Sequence, residues 1–323
     1  MSNLDQAPAE VIGESRGDVP GGPVVLPYRN VPLGGPRAMP VRRSLPQRAQ
    51  SLIGAWCFVD HYGPDDVSRT GGMSVPGHPH TGLQTVSWLF TGEVEHRDTT
   101  GTHAFVRPGQ LNLMTAGAGI AHSEYSTPAT TVLHGAQLWL ALPAAHQFAA
   151  PGFAHYEPPP ADVDGATVRV FIGALFGLVS PVPVYSPLLG AEVSLAPGQS
   201  LDVAVDPGYE MGFLCDTGSL AVDGAFAKPG EIIYCPAGSS GITLRGGPSQ
   251  RTRLLVLGGV PFGEQIVMWW NFIGRSHEEV AGFRQDWQRQ RAGGPGRYGV
   301  FPDAWQHTLA APELPNVRLR PRG

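Results

Sequence analysis

An eleven-residue pattern of turn, strand and turn that appears at two places sets the tightest limit on what this chain can become. Arg107-Pro-Gly-Gln-Leu-Asn-Leu-Met-Thr-Ala-Gly117 lies over Lys228-Pro-Gly-Glu-Ile-Ile-Tyr-Cys-Pro-Ala-Gly238, and each copy reads as a Pro-Gly turn, a strand and an Ala-Gly turn. Upstream of each, Trp88-Leu-Phe-Thr-Gly92 lies over Leu214-Cys-Asp-Thr-Gly218, again a strand running into a turn. Two matches in the same order imply one β module used twice. The chain has 43 Gly and 32 Pro among 323 residues and only 15% charged residues, which suits short strands rather than long exposed helices. Its length suffices for two barrel-sized cores. The expected architecture is therefore all-β, with two tandem barrels. The segments are a loose N-terminal tail (1–22), a first barrel (23–156), a second barrel (166–265), and a C-terminal helix and tail (266–323). The stretch 158–165 is the candidate linker. Ser276 and Glu279 form a capping-box pattern ahead of Val280, Phe283 and Trp287 at helical spacing, which predicts a helix from His277 to Gln290 packed against a barrel.

Several function classes drop out on composition. The net charge is −5 and the 22 basic residues are scattered, so nothing favours a phosphate backbone and no direct nucleic-acid partner is expected. No apolar run approaches a membrane span. Cys57, Cys215 and Cys235 are odd in number and lack C-x-x-C spacing, as expected for buried thiols in a reducing compartment. A cytoplasmic protein is the resulting expectation.

The chemistry concentrates in the first half. Eight of the 11 histidines fall between His61 and His146, so imidazole is gathered where the first barrel is expected. His78 and His80 are two apart, and so are His122 and Glu124; in an extended strand each pair points to one face. Two such strands side by side in a barrel converge three nitrogens and one carboxylate on a point, the ligand set of a mononuclear metal site with positions left for water or substrate. The set has no thiolate and suits Fe(II), Mn, Ni, Co, Cu or Zn. The alternative is that His78 and His80 flank a Pro-rich turn while His122 is a hydrogen-bonded core histidine.

The run from Gly72 to His80 resembles the first cupin motif. The segments His78-Pro-His-Thr-Gly-Leu-Gln-Thr-Val-Ser-Trp88, Gly92-Glu-Val-Glu-His-Arg-Asp98, Met114-Thr-Ala-Gly117 and Gly119-Ile-Ala-His-Ser-Glu124 are similar to the pirin family, as are Pro261-Phe-Gly-Glu264 and Asn271-Phe272. The resemblance implies a bicupin whose first barrel binds one divalent metal, foremost Fe(II), through His78, His80, His122 and Glu124. It further implies a flavonol dioxygenase of the quercetin 2,3-dioxygenase type, with a flavonol-like substrate, dioxygen, and Glu124 as ligand and base. The alternative it carries is a non-enzymatic, redox-sensing regulator that binds a transcription factor or metabolic enzyme. One departure is Gln84, where many relatives carry a carboxylate; it cannot serve as a base, but could orient a ligand as a neighbour.

The two local matches place Ala204 and Asp206 opposite His78 and His80, and Thr243 and Arg245 opposite His122 and Glu124, so the second barrel is expected to lack metal ligands. His96, His103 and His134 are expected to be surface or hydrogen-bonded histidines. Trp269, Trp270 and Trp287 are read as packing residues. Gly117 and Gly119 are read as permitting tight backbone before His122.

Overall fold

The computed structural model describes residues 21–32, 39–301 and 307–323, so most of the expected N-terminal tail lies outside the described residues. The chain folds into two cupin barrels, each built from a four-stranded and a seven-stranded antiparallel sheet. In the first barrel the small sheet runs Ser74–His80, Ile120–Ser126, Val94–Asp98, His103–Val106. Its large sheet runs Gly152–Tyr156, Leu111–Thr115, Leu83–Thr91, Val132–Ala141, Trp56–Asp66, Pro40–Leu45, Arg29–Pro32. The second barrel repeats both orders. Its small sheet is Ser200–Ala204, Gly241–Gly246, Leu220–Val222, Ala225–Ala227. Its large sheet is Val24–Leu26, Ile232–Cys235, Glu210–Thr217, Thr252–Gly259, Leu188–Leu195, Ala166–Ile172, Ala161–Val163.

The repeat extends to register. Trp88 pairs with Leu111 and Leu214 pairs with Ile232, the same residues that the two sequence matches superpose. One strand changes sides. Val24–Leu26 falls in the span expected for the first barrel, but it pairs with Ile232–Tyr234 at the edge of the second barrel's large sheet. Gly152–Tyr156 holds the equivalent edge in the first barrel. The expected linker is partly structured, because Ala161–Val163 forms a hairpin with Ala166–Ile172.

The large sheets stack face to face. Alternate residues of Leu83–Thr91 and Val132–Ala141, among them Val86, Trp88, Leu138 and Leu140, meet Phe171, Leu214, Leu255 and Leu257 in one core. Trp88 stacks on Phe171 at 4.5 Å and donates its indole N–H to Glu192 at 2.8 Å, so its polar edge is satisfied within the contact. Cys57, Cys215 and Cys235 are buried and free, and burial pushes each thiol up to about 12.

After the second barrel the chain returns to the first. The helix His277–Arg291 buries Val280, Phe283 and Trp287 against Trp269, Trp270, Phe272 and Ala121, the last on the small sheet of the first barrel. Ser276 Oγ accepts from Glu279 N at 3.2 Å, half of the expected capping box. The other half is diverted, since the Glu279 carboxylate accepts from Arg275 N and Gln147 Nε2, both at 2.8 Å. No helix among the described residues is long and apolar enough to cross a membrane.

Candidate metal centre

His78 and His80 lie on Ser74–His80, which pairs with Ile120–Ser126, the strand of His122 and Glu124. His122 sits opposite His78, whereas Glu124 sits opposite Val75, so Pro76 and Gly77 together face the single residue Ser123 in a β-bulge. Pro76 has no N–H to give the ladder, which makes the bulge cheap at that point. The bulge also leaves the Pro76 carbonyl to accept from His78 Nδ1 at 2.8 Å. A proton held there leaves Nε2 of His78 as a bare lone pair. Upstream of His122, Gly117 has φ of 48°, and a Cβ there would fall 1.9 Å from the carbonyl oxygen of Ala149, so only glycine fits the turn.

Three imidazoles converge. The ring centroids of His78, His80 and His122 are 4.3 to 5.0 Å apart, and one ring nitrogen from each lies within 4.8 Å of the others. All three are fully buried, and their Nε2 atoms have no hydrogen-bond partner among the described residues. Burial disfavours the charged form, pushing His78 down to about 3 and the other two well below their ordinary value. Glu124, also buried, joins through His122: His96, His122 and Glu124 form a second group with ligand atoms within 4.8 Å. Neutral, buried imidazoles whose Nε2 atoms meet no partner among the described residues, beside a carboxylate, are the donor chemistry a divalent metal requires, so the residues fit such an ion.

The surroundings correct one expectation and add residues the sequence reading passed over. Gln84 donates to Thr115 Oγ1 at 2.9 Å and shares a strand face with Val86 and Trp88, away from the histidines. Ser87, on the other face, lies 3.3 Å from Glu124 Oε1 and 2.9 Å from Gln137 Oε1. His96 is buried, with Nε2 3.1 Å from Asp98 Oδ2 and Nδ1 3.3 Å from Nδ1 of His122. Burial opposes the charge of Asp98, but hydrogen bonds from His96 and Thr100 outweigh it and hold the carboxyl below its usual range. The spacing of His96 and Asp98 is the same i, i+2 pattern that singles out the other two pairs, and that signal could have found them. His103 is an exposed partner of Glu95.

The expected alignment of the second barrel is shifted by one residue. Thr243 pairs with Asp202, and both side chains are exposed and bonded to each other, so they face outward. The pair His96–Glu124 is matched by Val222–Leu244, and His78–His122 by Val203–Ile242. Those four residues are buried aliphatics with no lone pair to offer.

A third group joins the barrels. Asp216 of the second barrel meets His61 Nε2 and His134 Nε2 of the first at 2.7 Å each and Arg253 Nε at 2.6 Å. Arg42 Nε donates to His61 Nδ1 at 3.0 Å, which puts the His61 proton on Nε2 and directs it to Asp216. Two guanidinium groups in this cluster oppose a bound cation, so it is a clasp rather than a metal site. Burial pushes His61 down to about 4.

Residues 38–140 match the Pirin family model and residues 190–293 match the Pirin C-terminal cupin domain. The chain is 42% identical to "Putative quercetin 2,3-dioxygenase PA1205" of Pseudomonas aeruginosa, over 89% of each chain. It is 33% identical to a pirin-like protein of Caulobacter vibrioides, over 78% of this chain and 88% of that one. The crystal structure of quercetin 2,3-dioxygenase from Acinetobacter baumannii superposes with a TM-score of 0.87 at 34% identity, covering 94% of this chain and 98% of that one.

Proposed function

The chain belongs to the pirin family, and from that premise we propose a flavonol dioxygenase of the quercetin 2,3-dioxygenase type holding one divalent metal through His78, His80, His122 and Glu124. The observation that carries this reading is the trio of buried, neutral imidazoles whose Nε2 atoms have no partner among the described residues, with a carboxylate beside them. Leaving a buried polar group unmatched costs about 1–3 kcal/mol, so a fold that gathers three of them at one point is built for a ligand. Fe(II) is the ion we assign, because the proposed reaction uses dioxygen; Mn, Ni, Co, Cu and Zn accept the same donors.

A bound divalent ion would supply Lewis acidity, lowering the pKa of a substrate hydroxyl. The protein's own part is to orient the flavonol, take its proton and keep bulk water out. Glu124 is the group we assign to take the proton: it is a buried carboxylate next to His122, with the Ser87 hydroxyl, whose single proton goes to either Glu124 or Gln137, 3.3 Å from its Oε1. The barrel wall then protects the electron-rich flavonolate from reprotonation by bulk water before dioxygen arrives. The free, buried thiols fit a reducing compartment, and we assign the protein to the cytoplasm.

The test is dioxygen uptake when protein loaded anaerobically with Fe(II) is mixed with quercetin in air-saturated buffer, with His122→Ala as control. Uptake should track quercetin loss and vanish together with bound metal in the variant. Iron-loaded protein that consumes no dioxygen would overturn the dioxygenase reading and turn attention to metal-dependent binding of a protein partner.

A further inference from the structure

Asp98, His96 and His122 form a continuous hydrogen-bonded line that ends at the candidate metal centre. Asp98 Oδ1 accepts from Thr100 N at 2.8 Å, Thr100 Oγ1 at 2.6 Å and Thr102 N at 3.2 Å, so the tight turn after the strand Val94–Asp98 pins the carboxylate from behind. Its other oxygen, Oδ2, faces His96 Nε2 at 3.1 Å. A carboxylate can only accept, so the proton between them belongs to His96 Nε2. In the neutral ring Nδ1 of His96 is then a lone pair, and it lies 3.3 Å from Nδ1 of His122. One proton must sit between two facing ring nitrogens, and only His122 can supply it.

We infer that Asp98 and His96 are positioning residues that hold the proton of His122 on Nδ1 and thereby keep its Nε2 lone pair directed at the metal centre. The inference rests on the proposed metal site and names what prepares one of its ligands in advance. His122 needs such a device more than His78 does. The backbone carbonyl of Pro76 sets the tautomer of His78, whereas both ring nitrogens of His122 point at imidazoles or into the site. Although His96 lies close enough to be counted with His122 and Glu124 as a ligand group, both of its nitrogens are committed, Nε2 to Asp98 and Nδ1 to His122. It acts through His122.

Asp98→Asn is the sharp test because it keeps the shape and reverses the line. The three donors at Oδ1 would hold the amide oxygen in place, so the amide N–H would face His96 Nε2. His96 would then carry its proton on Nδ1 and donate to His122 Nδ1, forcing the His122 proton onto Nε2, where the lone pair is needed. Long-range proton–nitrogen spectra of metal-free, 15N-histidine-labelled protein should show His122 protonated on Nδ1 in the wild type and on Nε2 in Asp98→Asn. Titration with Co(II) should show an affinity loss of roughly ten- to hundredfold in the variant. A second variant, His96→Phe, should weaken Co(II) binding as well, and adding Asp98→Asn to it should change nothing further, since Asp98 reaches the ligand only through His96. Protonation of wild-type His122 on Nε2, an unchanged tautomer in Asp98→Asn, or a further loss of affinity in the double variant would overturn the inference. A wild-type protein that takes up no Co(II) would instead count against the metal site, while the tautomers of the metal-free protein would still decide the role of Asp98 and His96.

Discussion

The two barrels share strand order, sheet sizes and the cross-strand register of their repeated modules, yet their interiors have opposite chemistry at equivalent points. Where the first places His78, His96, His122 and Glu124, the second places Val203, Val222, Ile242 and Leu244. The backbone frame is the same and the inward side chains decide whether it is a site or a core. Inward aliphatic residues need no partner, so the second barrel gains stability from these positions through burial. Inward imidazoles whose Nε2 atoms meet no partner among the described residues do the opposite, and the first barrel stays folded around them because its large sheet and the second barrel bury an extensive apolar surface elsewhere. Aliphatic packing and metal-compatible side chains are thus divided between two copies of one fold.

Substitutions at equivalent points should separate the two roles. The largest effect belongs to His122→Ala, which should abolish metal uptake and turnover while leaving the fold intact, as checked by metal content and circular dichroism. Leu244→Ala, at the position matching Glu124, should leave metal content unchanged and lower unfolding free energy by about 2–5 kcal/mol in urea titrations. If that variant lost metal while remaining folded, the division of labour would be wrong.

The clasp between the barrels should respond to pH. His61 has a folded-state pKa of about 4 because burial disfavours its charge, against about 6.5 when unfolded. Between these values the unfolded chain binds the proton and the folded one does not, so stability is present above pH 6.5 and is lost as pH falls toward 4. The loss should be on the order of 3 kcal/mol at full extent. Asp216 acts in the same direction at lower pH. Burial alone would raise it, but hydrogen bonds from His134 and His61 hold it far below its usual range. Replacing His61 with Gln should flatten the thermal stability profile over that window, and a profile of unchanged slope would remove His61 from the clasp. The smallest effect is expected at the helix that returns to the first barrel: Ser276→Ala removes the cap on Glu279 N and should cost about 1 kcal/mol.

Much of this comparison could be read in the residues. The matches of Trp88 with Leu214 and of Leu111 with Ile232 are true structural equivalences, because turns and alternation are local and survive duplication. In the small sheet the local matches run one residue out of step, setting the outward-facing Thr243 and Arg245 against His122 and Glu124. A slip of one residue in a strand turns every side chain to the other face, so an alignment that is nearly right names the outward residues. Gln84, by sequence a possible neighbour of the ligands, points the other way, while Ser87, three residues on, lies 3.3 Å from Glu124 Oε1.

What the sequence determined by itself was the repeated β module, the all-β class with one terminal helix, and the pairing of His78 with His80 and of His122 with Glu124 on single strand faces. These follow from periods of two residues and from turn chemistry, both carried by neighbouring positions. The tertiary structure alone decided that a bulge separates the pairing of His78 with His122 from that of Val75 with Glu124, and that Val24–Leu26 completes the other barrel. It also decided that Asp216 clasps His61 and His134 across the interface, and that Asp98 reaches His122 through His96. Each of these depends on cross-strand register and the stacking of sheets, which join residues far apart in the chain and leave no mark in local periodicity.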